Sequence, residues 1–284
     1  MKFLILGAGG MAGHTIAIYL KENGHDVIGL ALNHLTFCST IVGDARDTEL
    51  LTSSIINGRF DAVINCIGIL NQFAETNVGM AVYLNSYLPH LLAEITGDMS
   101  TQVIHMSTDC VFSGKKGNYT EYDFPDGEKI YDRTKALGEL CDNKNVTFRN
   151  SIVGPDINAN GIGLLNWFMK ENGPVKGFKS SIWTGLTTLQ LAKAIEQVAI
   201  EKPHGLYNMV YTEPITKYDL LILFNKYLRD SKITIIPYDD VVVNKSLKRT
   251  NFDFNFLVPD YEKMVSELAD WIKKHIYMYP HYCV

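Results

Sequence analysis

Ser107-Thr108-Asp109 precedes Tyr131-Asp132-Arg133-Thr134-Lys135 near the middle of the chain. A helix would set Tyr131 and Lys135 on one face, one turn apart. A free tyrosine has a pKa of ~10 and is a poor acid–base group at neutral pH. An ammonium ~4 Å away, at an effective dielectric of ~20, favours the phenolate by roughly 4 kcal/mol. That is about three pKa units, which brings Tyr131 near neutrality. Lys135 would supply the charge and also bond a nicotinamide ribose. Thr108 would hold a carbonyl oxygen in line with Tyr131. Thr108, Tyr131 and Lys135 are thus the candidate catalytic residues, and the chemistry is hydride transfer to or from a carbonyl or alcohol. Tyr-x-x-x-Lys alone also describes an amphipathic helix surface. The upstream Ser-Thr-Asp and an N-terminal glycine turn give it meaning.

That turn reads Gly7-Ala8-Gly9-Gly10-Met11-Ala12-Gly13. It follows an apolar strand and opens a helix. Glycine permits the tight turn, lets backbone approach a pyrophosphate, and lets the helix pack close to the sheet. Gly7, Gly10, Met11 and Gly13 are the expected cradle, with the helix N-terminus offering free N–H groups. The second strand ends in Leu30-Ala31-Leu32-Asn33-His34, without an acid to bond ribose hydroxyls. A 2′-phosphate would meet no repulsion there, which favours NADP and leaves NAD open. Asn33 lies at that end, and His34 and Arg46 are the candidates to reach the phosphate. Asp44 and Ala45 follow the third strand, where Asp44 could accept from an adenine amino group. A helix N-cap is the competing role for Asp44 or Asp47. Cys66-Ile67-Gly68, after the fourth strand, would line the adenosine side of the crevice, and Ser107 would close it. Asn85 is either a satisfied core amide or a support for the tyrosine.

These parts need a frame. Apolar strands are expected at 2–6, 26–30, 39–42, 61–66 and 102–106. Helices follow at 11–23 and over a stretch carrying Ala81, Leu84, Leu88, Leu91, Leu92 and Ile95, with a kink at Pro89. Continuous apolar strands alternating with helices imply an α/β fold: a Rossmann-type, doubly wound parallel sheet. Past Arg149 the alternation loosens, with helices near 164–171, 187–201, 216–229 and 260–275. The expected division is a dinucleotide-binding domain at 1–152 plus about 180–212, and a smaller substrate-binding lobe at about 153–179 and 213–284. The aromatic tail (Tyr277, Tyr279, Tyr282) would pack on the body or on another subunit.

The 284 residues are 46% hydrophobic and 20% charged, with net charge −5. No basic block suggests nucleic acid, and no apolar run is long enough to span a membrane. Five scattered cysteines, without C-x-x-C, favour reduced thiols and a cytoplasmic protein. No cluster has zinc spacing, so no metal is expected. Neither a nucleophile elbow nor a Walker loop is present. His105, inside an apolar strand, reads as a core histidine.

These residues resemble the extended short-chain dehydrogenase/reductase superfamily, and within it the dTDP-4-dehydrorhamnose reductase group. Ser107-Thr108-Asp109-Cys110-Val111-Phe112-Ser113-Gly114 is similar to that group's S-T-D-Y-V-F-D-G, and Tyr131 to Glu139 to its Y-G-R-T-K-x-x-G-E. The resemblance implies an NADPH-dependent reductase of a nucleotide-diphosphate 4-keto-6-deoxy sugar, with Tyr131 as proton donor, serving surface-polysaccharide or antibiotic-sugar synthesis. It implies substrate contacts from Asp109, Cys110, Phe112 and Asn150. Cys110 and Ser113 replace a tyrosine and an aspartate of the motif. Arg149-Asn150-Ser151-Ile152-Val153 stands where the group has R-T-S-W-V, leaving Trp183 to supply an aromatic. Lys245 falls where related members carry an arginine, so Lys245 and Arg249, with Lys248 between them, become the expected diphosphate contact. A solvated basic loop is the alternative, with Lys176 and Lys179 as the next group. An epimerase retaining its nucleotide, or a non-catalytic cofactor-binding regulatory subunit, would share these features. A homodimer fits all three.

Overall fold

The computed structural model describes residues 1–282; Cys283 lies outside them. In chain order the elements begin with β1 (Lys2–Leu6), α1 (Met11–Glu22), β2 (Asp26–Ala31), β3 (Ser39–Val42), α2 (Thr48–Gly58) and β4 (Ala62–Asn65). Next come α3 (Asn71–Thr76), α4 (Val78–Ala81), a π-helical stretch (Val82–Tyr87), α5 (Leu88–Ile95), β5 (Gln102–Met106), α6 (Ile130–Leu137) and β6 (Val146–Arg149). The rest comprises β7 (Ile152–Val153), α7 (Leu164–Lys170), β8 (Val175–Phe178), β9 (Ser181–Trp183), β10 (Leu186–Thr187) and α8 (Thr188–Glu201). It closes with β11 (Gly205–Asn208), β12 (Ile215–Thr216), α9 (Lys217–Leu228), β13 (Ile235–Tyr238), β14 (Val243–Asn244) and α10 (Tyr261–Lys274).

Seven strands form one sheet in the order β11-β6-β5-β4-β1-β2-β3, and every pair is parallel. The expected doubly wound architecture is observed. Its cause is visible along β1. Phe3 and Ile5 enter one hydrophobic cluster with α1 and α8, while Leu4 and Leu6 enter the cluster under α2 and α5. A strand apolar at every position can satisfy both faces only when helices cover both. The strand order reverses between β1 and β4, which opens a crevice at the carboxyl edge where Gly7 and Cys66-Ile67-Gly68 emerge.

Beyond β6 the chain builds short pairings: β7 with β10, β8 with β13, and β9 with β12 and β14. The segment returns to the main sheet as β11, beside β6.

The kink expected at Pro89 takes the form of the π-helical turn before α5. Proline lacks an N–H and its ring crowds the carbonyl four residues back, here Asn85. The freed Asn85 carbonyl lies against α6: a Cβ on Gly138 would sit 1.9 Å from it. Gly138 therefore sets the approach between this helix and the one that carries Tyr131. The aromatic tail packs on the body. Tyr279 donates its hydroxyl to His14 Nε2 (2.9 Å), and His14 Nδ1 donates to the Gly10 carbonyl (2.9 Å). Tyr282 accepts the Asp156 N–H at 2.9 Å. Among the described residues no helix is long and apolar enough to cross a membrane.

Candidate active site

At the crevice, Gly7 adopts φ +75, and a Cβ on Gly13 would lie 2.2 Å from the Gly7 carbonyl oxygen. No side chain caps α1 at Gly10, so its first N–H groups face open space. A cavity of about 800 Å³ begins here. Gly7 and Gly10 line it with Asn33, Asp44, Ala45 and Ile67, which the sequence had placed separately. Glycine backbone, helix N-terminus and volume suit a dinucleotide pyrophosphate.

Several neighbours differ from expectation. His34 is exposed and is not in the cavity wall, whereas Arg46 is. Arg46 clamps the Asp44 carboxylate, with Nε on Oδ1 at 3.0 Å and Nη2 on Oδ2 at 2.5 Å. That pairing holds the Asp44 carboxyl below its ordinary range. Asp47, not Asp44, caps α2 through the Leu50 N–H. Met11 turns its thioether toward Gly163 of the lobe. Gly9, Met80, Leu84, Ile157 and Asn158 also line the cavity. The last two come from the lobe, at positions no local spacing could reveal. Gly68 sits against the Asn85 amide oxygen, where a Cβ would be 3.3 Å away. Asn85 itself is fully engaged. It accepts the Ile69 N–H (2.9 Å) and donates to the Ile69 carbonyl (3.0 Å) and Thr134 Oγ1 (3.1 Å). It ties the loop after β4 to α6, as a support for the tyrosine, and has no amide atom left over for a cofactor.

Tyr131 and Thr108 come together, while Lys135 lies one turn further along α6 with its ammonium on the end of β5. Tyr131 is buried, 8% exposed, with Cys110 packed beside it. Burial pushes its phenol well above the usual range; Cys110, Asp109 and Asp132 add to this and the Thr108 hydroxyl opposes it. The expected phenolate near neutrality is therefore corrected: Tyr131 is held as a protonated phenol. Lys135 does not lower it because the ammonium turns away, donating to the Met106 carbonyl at 2.5 Å and lying 3.5 Å from His105 Nε2. Burial lowers the Lys135 pKa to about 8, against the opposing pull of Glu139. Cys66, beside Lys135, has its thiol raised to about 12 by burial. Thr108 Oγ1 accepts the Cys110 N–H (3.1 Å) and donates to Asp109 Oδ1 (3.1 Å), which fixes the turn.

Ser107 faces inward rather than toward the cavity. Its hydroxyl donates to Glu139 Oε1 at 2.7 Å. Glu139 also takes two bonds of 2.7 Å from Arg149, in a pair whose side chains are 4% and 5% exposed. A planar fork on both carboxylate oxygens is the geometry that compensates burial. Glu139 and Arg149 were missed as site residues, although the closing Gly-Glu of the tyrosine motif was the available signal.

The expected substrate contacts divide. Asp109 is raised by burial and opposed by Lys245 and Lys217, so two ammoniums stand near one buried carboxyl. Lys217 begins α9 in the lobe, and nothing in the sequence links it to Asp109. Phe112 is corrected to a core residue: it is fully buried, stacks on Tyr119 at 4.1 Å and lies under the Arg149 guanidinium at 5.0 Å. Trp183 is likewise core, buried against Tyr261 at 5.6 Å, and cannot supply an exposed aromatic. Asn150 is buried beside these strands, and its Nδ2 lacks a hydrogen-bond partner. Lys245 and Arg249 do not form one patch. Arg249 donates to the carbonyls of Asn251 (2.9 Å), Phe256 (2.8 Å) and Phe254, so it staples its own loop at the edge of a second cavity. Lys176 lies over the Tyr238 ring at 4.0 Å.

Comparison with known proteins follows the same outline. The profile of the RmlD substrate binding domain family matches residues 1–251. A protein of Haloferax volcanii, named a probable low-salt glycan biosynthesis reductase, is 34% identical over 143 residues, 49% of this chain and 48% of that protein. The dTDP-4-dehydrorhamnose reductase of Aggregatibacter actinomycetemcomitans is 31% identical over 141 residues, 49% of this chain and 45% of that protein. The chain thus spans about half the length of the curated relatives it matches. The crystal structure of dTDP-4-dehydrorhamnose reductase from Bacillus anthracis in complex with NADP superposes with a TM-score of 0.79 at 19% identity, covering 96% of this chain and 99% of that one. That likeness shows the fold.

The depressed lysine predicts a pH signature. With a folded pKa of about 8 against an ordinary 10.5, Lys135 carries its full burial penalty below pH 8. Between those values only the unfolded chain holds the proton, so stability contributed by this group rises with pH. Lys135→Met removes the penalty. Its stability relative to wild type should be greatest near about pH 7 and should decline by about pH 10, measured as paired urea unfolding midpoints. A pH-independent difference would mean that Lys135 has an ordinary pKa.

Proposed function

The chain belongs to the RmlD substrate binding domain family, and from that membership we propose that it is an NADPH-dependent reductase of a nucleotide-diphosphate 4-keto-6-deoxy sugar. The observation that carries this reading is the buried Tyr131 phenol, held protonated beside the Thr108 hydroxyl. A reductase needs a proton donor at the carbonyl oxygen, and a phenol with a raised pKa still protonates an alkoxide downhill. Thr108 orients that oxygen, and Tyr131 gives it the phenolic proton. When bound, the nicotinamide supplies the hydride. Lys135, one turn along α6 from Tyr131, is the residue left to bond the nicotinamide ribose, and its ammonium does not act on the phenol. The relatives' names, glycan biosynthesis reductase and dTDP-4-dehydrorhamnose reductase, agree with the substrate class.

NADP is favoured over NAD because the wall beside the β2 end carries Asn33 and Arg46 and no unpaired acid: Arg46 already neutralises Asp44. The neighbour solved with NADP agrees. We assign cofactor binding to residues 1–152 with about 180–212, and the sugar nucleotide to the lobe at about 153–179 and 213–284. Lys245 and Lys217, both near Asp109, are the diphosphate-side cations. A cytoplasmic site of action accords with four free cysteines among the described residues. A homodimer belongs to the same reading, with Phe73, Val78 and Tyr87 as exposed apolar side chains beside the crevice loop.

A panel of keto-sugar nucleotides, followed by loss of NADPH absorbance, identifies the substrate. With that substrate Tyr131→Phe should lower kcat by ~10² to 10⁴ with NADPH affinity little changed. Wild-type turnover in this variant would remove Tyr131 as the acid. Lys245→Ala should raise KM for the sugar nucleotide, more so at low salt, and leave NADPH binding alone. Arg249→Ala should act through stability instead, because its partners are backbone carbonyls of its own loop. Equal effects of both variants on KM would contradict the division between them.

A further inference from the structure

Two fully buried polar side chains lie behind Lys135 and have no part in the mechanism above. Asn65 ends β4, His105 lies in β5, and the two are direct partners in the sheet register. The Ile67 N–H donates to Asn65 Oδ1 at 3.1 Å, which fixes the orientation of that amide. Its Nδ2 then faces His105 Nδ1 at 3.2 Å. An amide nitrogen only donates, so Nδ1 must accept. A neutral imidazole that accepts at Nδ1 carries its proton on Nε2. Nε2 lies 3.5 Å from Lys135 Nζ. Burial, reinforced by Lys135 and by His90, pushes the His105 pKa well below its ordinary range, which keeps the ring neutral.

We infer that Asn65 and His105 are positioning residues in a one-way hydrogen-bond relay, Ile67 to Asn65 to His105, that ends by presenting an N–H to Lys135. An N–H aimed at an ammonium repels it; aimed at an amine lone pair it makes a hydrogen bond. The other groups facing Lys135 pull differently. Glu139, just past the end of α6, and the Met106 carbonyl both favour the ammonium, while Cys66 after β4 stays a neutral thiol. The N–H presented at 3.5 Å weighs against the ammonium that Glu139 and the Met106 carbonyl favour. Its value to turnover rests on the reductase reading, in which Tyr131 must regain a proton after each cycle. The relay itself needs no substrate.

The test is the tautomer of His105 in the full chain. In protein labelled with ¹⁵N-histidine, long-range ¹H–¹⁵N correlation spectra distinguish the two neutral forms, and His105 is assigned by its absence from His105→Gln. The relay requires the Nε2–H form, uncharged between about pH 6 and pH 9. An Nδ1–H form, or a charged ring, overturns it. Asn65→Asp replaces the donor by an acceptor and should switch His105 to the Nδ1–H form. Retention of the Nε2–H form in that variant removes Asn65 from the relay. If the variant fails to fold, the wild-type spectrum alone still decides. Neither readout uses NADPH or a sugar, so a protein inactive on every keto-sugar could still show the relay, and an active one could lack it.

Discussion

Lys135 places an ammonium at the carboxyl edge of β5, where the fold leaves it almost no water. The penalty for such burial is several kcal/mol unless hydrogen bonds and opposite charge offset it. Much of the surrounding structure serves that compensation. The Met106 carbonyl at the end of β5 accepts from Nζ, and Glu139, just past the end of α6, supplies the carboxylate. Glu139 is itself buried and so requires Arg149, whose guanidinium rests on the Phe112 ring. Ser107 completes the carboxylate's bonds and thereby fixes the residue preceding Thr108. The Thr108 turn is thus anchored from behind by a connected set of charges.

The same logic explains why the helix before β5 is irregular. Pro89 cannot bond the Asn85 carbonyl, and the turn widens there. The displaced carbonyl reaches Gly138, where no side chain blocks it, and the Asn85 amide bonds Thr134 on the tyrosine helix. Ser86 adds a bond of 2.7 Å to the Thr134 carbonyl. A local departure from regular helix becomes the contact that seats the tyrosine helix against the loop after β4. On the other side, the tail reaches the glycine turn through Tyr279, His14 and the Gly10 carbonyl, so residues far apart in the chain steady the same loop.

How much of this was legible depended on the range of each interaction. The β1 turn, the five leading strands and the Thr108, Tyr131, Lys135 set carry local signals: glycine spacing, apolar runs and a helical four-residue step. The strands and the turn appear where those signals put them, and Asn85 ties the loop after β4 to the tyrosine helix. The failures share a cause. Phe112, Trp183 and Arg249 have residue types suited to a sugar diphosphate, but type does not report orientation, and packing turned all three inward or onto their own loop. The ionisation of Tyr131 was misjudged because a charge at the right spacing was counted and the burial of the phenol was not. Ile157, Asn158 and Lys217 reach the site through the lobe's tertiary path, which no periodicity encodes.

The proposed reaction is net reduction of a nucleotide-linked 4-keto sugar by hydride from NADPH. Single-turnover incubation with NADPH deuterated at the transferable position, followed by mass and NMR analysis of the sugar nucleotide, tests it most directly. A reductase places one deuterium at C4 of a 4-hydroxy product and forms one NADP⁺ per sugar. An epimerised sugar without deuterium and without net NADPH consumption, or no product across the keto-sugar nucleotides, would contradict it.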